Sequence, residues 1–176
     1  MNNKDIDAYK SVPFRVLYSK NHVQPIDVKF YITFLKNGNF QLKAEGKEVN
    51  FYNFDSEELK YKKEAWALNK FGKSGKLIQT EDAAFIIELD STKTILDDEA
   101  SVYSFKLSTN NYLTNKYKDK FEFNIVDKKA TVIDINLFTE SVSKGKDLVN
   151  ELMAVYSQMN KNKKKNIAGI TIDYIE

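Results

Sequence analysis

One stretch of the sequence has the residue types of a nucleotide-binding loop. Ala67 is followed after four residues by Gly72, Lys73 and Ser74, a relaxed phosphate-binding pattern in which Ala replaces the first Gly. In such loops backbone N–H groups wrap the phosphate, the lysine pairs with it and the serine holds magnesium. A buried strand must precede the loop and a long helix must follow it. Because the strand-like residues 76–80 follow instead, the sequence favours a Gly-rich turn between strands.

The other groups that could do chemistry are sparse. His22 lies in a loop-like segment without clustered carboxylates, so we expect a solvated histidine rather than a metal ligand. Asp97, Asp98 and Glu99 are adjacent, which is typical of a solvated loop and lacks the regular spacing of a calcium loop. The chain has no cysteine and hence no thiol nucleophile or disulfide. We therefore expect no catalytic residue, metal site or cofactor, and no enzymatic activity of this chain.

Charge and hydropathy give no support for nucleic acid binding or for a membrane-spanning segment in this sequence. The net charge is +2 with 30% charged residues, which gives no electrostatic case for nucleic acid binding. The lysine-rich run at residues 161–165 could touch an anionic membrane surface or a glycan, but the wet side of a helix is the commoner role. No apolar run approaches the ~20 residues that span a bilayer, and the polar first ten residues lack a signal-peptide pattern.

A β-hairpin is the clearest local pattern in the sequence. Apolar and polar residues alternate along 27–35 and again along 39–45, and Asn37-Gly38 between them accepts a positive φ. Further strands are predicted at residues 13–18, 83–90 and 101–108. Residues 109–119 predict a short helix capped by Thr109 or Asn110.

The remaining segments complete a mixed fold. Residues 55–75 are expected to be irregular with a helical turn, and residues 121–126 and 131–138 form a second hairpin. We predict an α+β fold, a largely antiparallel sheet with a short helix and a long C-terminal helix packed on one face. It forms one domain, 1–176, with a strand-rich body (1–139) and a truncated long helix (140–176).

One core is expected to hold this fold together. We predict that eleven residues are buried against one sheet face, and that Phe30→Ala or Ile133→Ala each costs about 2–5 kcal/mol. These residues are Phe30, Ile32, Phe34, Phe40, Leu42, Phe123, Ile125, Ile133, Ile135, Leu148 and Leu152.

The last segment predicts one helix, or two nearly collinear helices, from about Val142 to the end. An apolar line with near-helical steps runs through Leu148, Leu152, Val155, Met159, Ile170 and Tyr174. We expect Leu148, Leu152, Val155 and Tyr156 to dock on the sheet. No helix stop signal follows, so we interpret the chain as cut from a longer one.

The last sixty or so residues resemble the polysaccharide co-polymerases. These are the chain-length determinant (Wzz-type) proteins and the Wzc-like tyrosine autokinases of capsule and exopolysaccharide synthesis, and the similarity extends over Tyr112–Glu176. It is looser before Tyr112, where the chain is most like the autokinases of Bacteroides-like bacteria. Tyr174 stands where the family usually has Phe. The characteristic positions would be filled by Asn150, Leu152, Tyr156, Lys164 or Lys165, Ala168, Thr171, Tyr174 and Ile175.

This resemblance implies a location and a role. The chain would be the non-catalytic domain at the periplasmic face of the inner membrane, in a membrane-anchored parent whose kinase domain lies elsewhere. That parent would form homo-oligomers and set glycan chain length with the polysaccharide polymerase and the growing glycan. The alternative is a freestanding soluble glycan- or protein-binding module with a dimerising C-terminal helix.

Overall fold

The computed structural model describes residues 7–90, 92–93, 102–126 and 132–175, the last stretch with side chains through residue 167. Backbone contacts divide the chain into two compact units. The sandwich unit contains residues 10–114, and the helical unit contains the described parts of residues 1–9 and 115–176. The single domain with a body at 1–139 and a helix at 140–176 stays a prediction.

Two antiparallel sheets make up the sandwich unit. One has the strand order β1-β7-β6, and the other has β4 at its centre, with β5 along one side and β2 and β3 along the other, and β8 beyond β3. The strands are β1 (Phe14–Tyr18), β2 (Gln24–Ile26), β3 (Lys29–Phe34), β4 (Asn39–Asn53), β5 (Glu58–Lys73), β6 (Leu77–Gln79), β7 (Ala84–Leu89) and β8 (Tyr103–Lys106).

An aromatic core lies between the two sheets. Phe30 of β3 is fully buried, stacks on Phe105 with ring centroids 4.7 Å apart and meets Phe85 of β7 edge-on at 5.4 Å. Such ring pairs stabilise the fold beyond the burial of their apolar area, because the edge of one ring and the face of another carry opposite partial charges. The core therefore joins the β4-centred sheet to the β1-β7-β6 sheet.

The predicted first hairpin is confirmed. β3 and β4 pair antiparallel from Phe30 opposite Ala44 to Phe34 opposite Phe40. At the turn, Asn37 has a φ of 61° and Gly38 a φ of 71°, the left-handed region that Asn and Gly tolerate best.

The prediction of irregular structure at residues 55–75 is wrong. Residues 58–73 are one 16-residue strand, β5, which pairs with β4 from Glu58 opposite Asn53 to Lys73 opposite Asn39. Trp66 and Leu68 of this strand are buried in the core. The pairing is interrupted at Glu48, whose φ is 53°. In β4 the inward-facing residues have even numbers before Glu48 and odd numbers after it, and in β5 they have odd numbers up to Lys63 and even numbers from Trp66. This change breaks the alternation that marks a strand in sequence.

A glycine in β5 makes room for the core. Gly72 lies opposite Phe40 of β4, and a Cβ atom added there would approach the Phe40 ring to 2.5 Å and Ile78 to 2.9 Å. The Phe40 ring therefore covers the glycine directly, a known way to pack an aromatic ring across a strand pair. The structure therefore assigns Gly72 a steric role in the packing of the Phe40 ring.

The helical unit contains the second predicted hairpin and the long helix. Helix α1 begins in the sandwich unit and continues into the helical unit, and the Tyr112 amide donates to Thr109 Oγ1 at its start (3.2 Å) as predicted. The fold class, α+β with antiparallel strands, a short helix and a long C-terminal helix, is confirmed, although the strands form three sheets. The elements are α1 (Asn110–Lys118), β9 (Phe121–Ile125), β10 (Ile133–Leu137) and α2 (Val142–Ile175).

Helix α2 begins close to the end of β10. The Lys144 amide donates to Ser141 Oγ (3.4 Å) and the Gly145 amide to the Ser141 carbonyl (2.9 Å), which makes Ser141 the N-cap. A Cβ atom on Gly145 would lie 2.5 Å from Thr139 Cγ2. The glycine therefore lets the first turn of α2 approach the chain that leaves β10.

The prediction of one common core is wrong for the second hairpin. Phe30, Ile32, Phe40 and Leu42 are fully buried in the sandwich unit and Phe34 packs against them. Three of the predicted core residues lie instead in the separate β9–β10 sheet and are largely exposed: Phe123 (58%), Ile125 and Ile133. Ile135, Leu148 and Leu152 are half-buried. The alternation of apolar residues predicted the pairing of the two strands correctly. It did not show whether the apolar face of the hairpin is covered.

Candidate functional site

The stretch that resembles a phosphate-binding loop has a different geometry. Gly72 and Lys73 end β5, and the chain then turns at Ser74 and Gly75 into β6. The Ser74 hydroxyl accepts a hydrogen bond from the Leu89 amide (3.0 Å), and the Ser74 amide donates to the Gly38 carbonyl (2.8 Å). This is the predicted turn between strands, and the chain continues from it into β6 rather than into the helix that a phosphate-binding loop requires.

The other polar candidates have simple surroundings. His22 is half-buried, rather than exposed as predicted, and its Nδ1 lies 2.8 Å from the Val23 carbonyl. Asp97, Asp98 and Glu99 lie outside the described residues. Within the described ranges, no three His, Asp or Glu side chains are grouped as a metal site would require.

A buried carboxylate that the sequence analysis missed lies at the edge of the sandwich core. Asp82, at the bend before β7, accepts hydrogen bonds from three side chains of β5. Tyr61 donates at 2.6 Å, Lys63 reaches both carboxylate oxygens at 2.7 Å, and buried Trp66 donates from Nε1 at 3.1 Å. The Lys63 ammonium also lies 5.4 Å from the centroid of the Phe51 ring, within the range of a cation–π contact.

The protonation of this cluster follows from its contacts. Burial alone would raise the pKa of Asp82, but the hydrogen bonds from Lys63, Tyr61 and Trp66 outweigh it and leave the pKa below the ordinary value of 3.8. Burial, followed by the hydrogen bond to Asp82, raises the pKa of Tyr61. Asp82 is thus ionised and Tyr61 neutral at neutral pH. Each polar group is engaged by another, so the cluster ties β5 to the β7 bend as a structural network.

A second charged cluster anchors the first turn of α2. Lys144 Nζ donates to Asp7 at 2.7 Å and lies 5.4 Å from the centroid of the Tyr117 ring. Nearby, Tyr9 donates to Asp147 at 2.9 Å. The hydrogen bond from Lys144 lowers the pKa of Asp7. Burial would lower the pKa of Lys144, but its bonds to Asp7 and Tyr117 raise it. Both groups are therefore charged at neutral pH, and they fix the start of α2 within the helical unit.

Beyond this anchored turn, α2 carries an exposed apolar surface. We define the α2 stripe as Val155, Tyr156 and Met159, because Met159 lies four residues after Val155 and three after Tyr156 and neighbours both on the helix surface. Val155 is about half exposed, and Tyr156 and Met159 are about two-thirds exposed (65% and 64%). The prediction that Val155 and Tyr156 dock on a sheet is wrong, whereas Leu148 and Leu152 are half-buried. The lysines of residues 161–165 are exposed, which agrees with a solvated helix surface.

The α2 stripe and the exposed residues of the second hairpin belong to the same unit. A two-stranded hairpin is marginally stable in water unless another layer covers it, and clustered exposed apolar side chains are typical of interaction surfaces. These exposed apolar side chains make the helical unit a candidate interaction surface. Within the described residues, neither helix combines the length and hydropathy that crossing a bilayer requires.

The comparisons add no relative against which this surface could be interpreted. No protein-family model, curated protein or solved structure matches the chain. The candidate function therefore rests on the sequence resemblance and on the geometry of the helical unit.

Proposed function

We propose that this chain is the extracytoplasmic assembly domain of a membrane-anchored polysaccharide co-polymerase, related to the bacterial tyrosine autokinases. Under this proposal the chain itself is not catalytic and its parent lies at the periplasmic face of the inner membrane. Self-association of the parent, together with the polysaccharide polymerase and the growing glycan, sets the length of a capsular or exopolysaccharide chain.

The exposed α2 stripe is the observation that carries this proposal. Tyr156 and Met159 expose about two-thirds of their surface on a 34-residue helix whose first turn is held by Lys144. A helix fixed at one end with apolar side chains in water is stabilised when a second surface covers them. The order of α1, the β9–β10 hairpin and α2 is also the order of elements that the resemblance implies.

The proposal predicts that charge on the α2 stripe changes glycan length. In cells that express the gene from its own locus, Val155→Glu with Met159→Glu should shift or broaden the length distribution of the surface polysaccharide, since two carboxylates cannot be buried in an apolar contact without a large desolvation cost. The length distribution is measured by gel electrophoresis of extracted polysaccharide.

A matched pair of variants controls for added charge. Ala154 and Ser157 are exposed on the other side of α2, because they lie about 260° and about 200° around the helix from Val155. Ala154→Glu with Ser157→Glu should leave the length distribution unchanged. If the Val155/Met159 variant accumulates to normal levels and the polysaccharide keeps its normal length, the proposed role of the stripe is wrong.

A further inference from the structure

A basic and apolar surface lies at one open edge of the sandwich unit. β5 and β6 are edge strands of the two sheets, joined by the turn at Ser74–Lys76. A shallow groove of about 640 Å³ lies along this edge. We define the lysine edge as the six lining residues that are either lysines or exposed apolar side chains: Leu35, Lys70, Phe71, Lys73, Lys76 and Leu77.

The apolar members of the lysine edge point into water. Phe71 is 72% exposed and Leu77 is 56% exposed, and Leu35 is exposed as well. These side chains are therefore available to another surface, although the core beside them is filled by Phe40 and Ile78.

The charged residues of the lysine edge are all positively charged. Among the residues that the structure describes, no aspartate or glutamate lines the groove. In the part of the chain that the structure describes, no carboxylate forms an ion pair with Lys70, Lys73 or Lys76. Three uncompensated ammonium groups beside exposed apolar side chains favour a partner that is both anionic and able to take up hydrocarbon.

We infer that the lysine edge docks on the surface of an anionic phospholipid bilayer. The lysines lie at the level of the headgroup phosphates, and Phe71 and Leu77 enter the boundary between headgroups and acyl chains. A soluble polyanion would satisfy the lysines but leave Leu35 and Leu77 in water, because an aliphatic side chain offers a sugar neither a ring face nor a hydrogen bond. The groove is also too open to enclose a small molecule. This inference does not depend on the proposed assembly role of α2.

Co-sedimentation of the purified chain with vesicles tests the inference. Binding is expected to vesicles of phosphatidylglycerol mixed with phosphatidylcholine, and not to phosphatidylcholine alone. Replacing Lys70, Lys73 and Lys76 together by Gln should weaken binding about a hundredfold, since each basic residue near an anionic surface is worth about a factor of five. Phe71→Ser should weaken it about tenfold, because the burial of one large side chain is lost.

A second lysine cluster provides the matched control. Lys161, Lys164 and Lys165 of α2 are exposed, and replacing all three by Gln removes the same charge from a surface outside the lysine edge. This variant should keep wild-type binding, and an unchanged emission of Trp66, the only tryptophan, shows that each variant is folded.

Three results would overturn the inference. The first is no binding to the anionic vesicles. The second is an equal loss of binding in the control triple variant. The third is binding to soluble dextran sulfate that displaces the vesicles and is insensitive to Phe71→Ser, which would assign the lysine edge to an anionic polymer.

Discussion

Replacing Phe30 by Ala is expected to lower the free energy of unfolding of the sandwich unit by about 3–5 kcal/mol. Phe30 is fully buried and contacts three other aromatic rings, those of Trp66, Phe85 and Phe105. The substitution leaves a cavity at the centre of this cluster, and the paired strands on both sides limit how far it can collapse. The decrease is measured by urea denaturation followed by the fluorescence of Trp66, which is buried in the same core.

Phe123→Ala is the matched control for this substitution. It removes the same atoms from a side chain that is 58% exposed in the β9–β10 sheet, so we expect a change of less than about 1 kcal/mol. The same reasoning corrects the expectation for Ile133→Ala, which should cost little because Ile133 is similarly exposed. Equal losses in Phe30→Ala and Phe123→Ala would contradict the exposure of Phe123 in the β9–β10 sheet.

Replacing Asp82 by Ala is expected to lower the free energy of unfolding by about 2–4 kcal/mol. The substitution removes the acceptor of hydrogen bonds from Tyr61, Lys63 and Trp66. The Trp66 indole N–H is buried, and an unsatisfied buried donor costs about 1–3 kcal/mol by itself. Asp82→Asn keeps an acceptor oxygen but loses the charge, so its loss should be smaller.

The contribution of Asp82 should also depend on pH. Its folded-state pKa lies below the unfolded value near 3.8, so the stabilisation is fully present above about pH 4 and is lost as the pH falls through the lowered folded-state pKa. The difference in stability between the wild type and Asp82→Asn should therefore shrink between about pH 6 and about pH 3. A difference that stays constant over this range would show that the carboxylate is not stabilised as an anion.

The local elements were predictable where one short-range rule determines the structure. The first hairpin follows from alternation around Asn37-Gly38, and α1 follows from the cap at Thr109. The extent of α2 follows from a 3.6-residue period. Each of these patterns can be recognised from residues within about ten positions of one another, so it can be read without knowing which distant residues are in contact.

The strand β5 could not be predicted because its pattern depends on the rest of the fold. Its inward positions change parity opposite Glu48, and one of them is Lys63, whose charge is neutralised by Asp82 19 residues further along the chain. In sequence, Lys63 and its neighbours resemble a solvated helical turn. The Asp82 cluster was missed for the same reason, and its one sequence signal is Trp66, whose N–H requires a partner when it is buried.

The burial of the second hairpin and of α2 was predicted only in part, for a related reason. Period-2 and period-3.6 patterns show which residues share a face, but they do not show whether that face meets another layer of the same chain. Leu148 and Leu152 are half-buried, whereas Val155, Tyr156 and Phe123 are exposed. The sequence thus identified the apolar side of α2 correctly but assigned it to an internal contact.

The central claim, that copies of the parent meet through the α2 stripe, is tested most directly by photo-cross-linking in cells. A benzophenone amino acid is placed at Met159 in one strain and, as the matched control, at Ser157 on the other side of the helix in a second strain. After irradiation, the membrane fraction is analysed by denaturing electrophoresis. The Met159 strain should give a ladder of covalent dimers, trimers and higher species if the stripe of each copy meets a different surface of the next copy, because cross-links then continue from copy to copy. The Ser157 strain should give no ladder. A cross-linked product that stops at the dimer would contradict the account in favour of a freestanding dimerising module, and the absence of cross-links from Met159 would show that the stripe does not join copies of the chain.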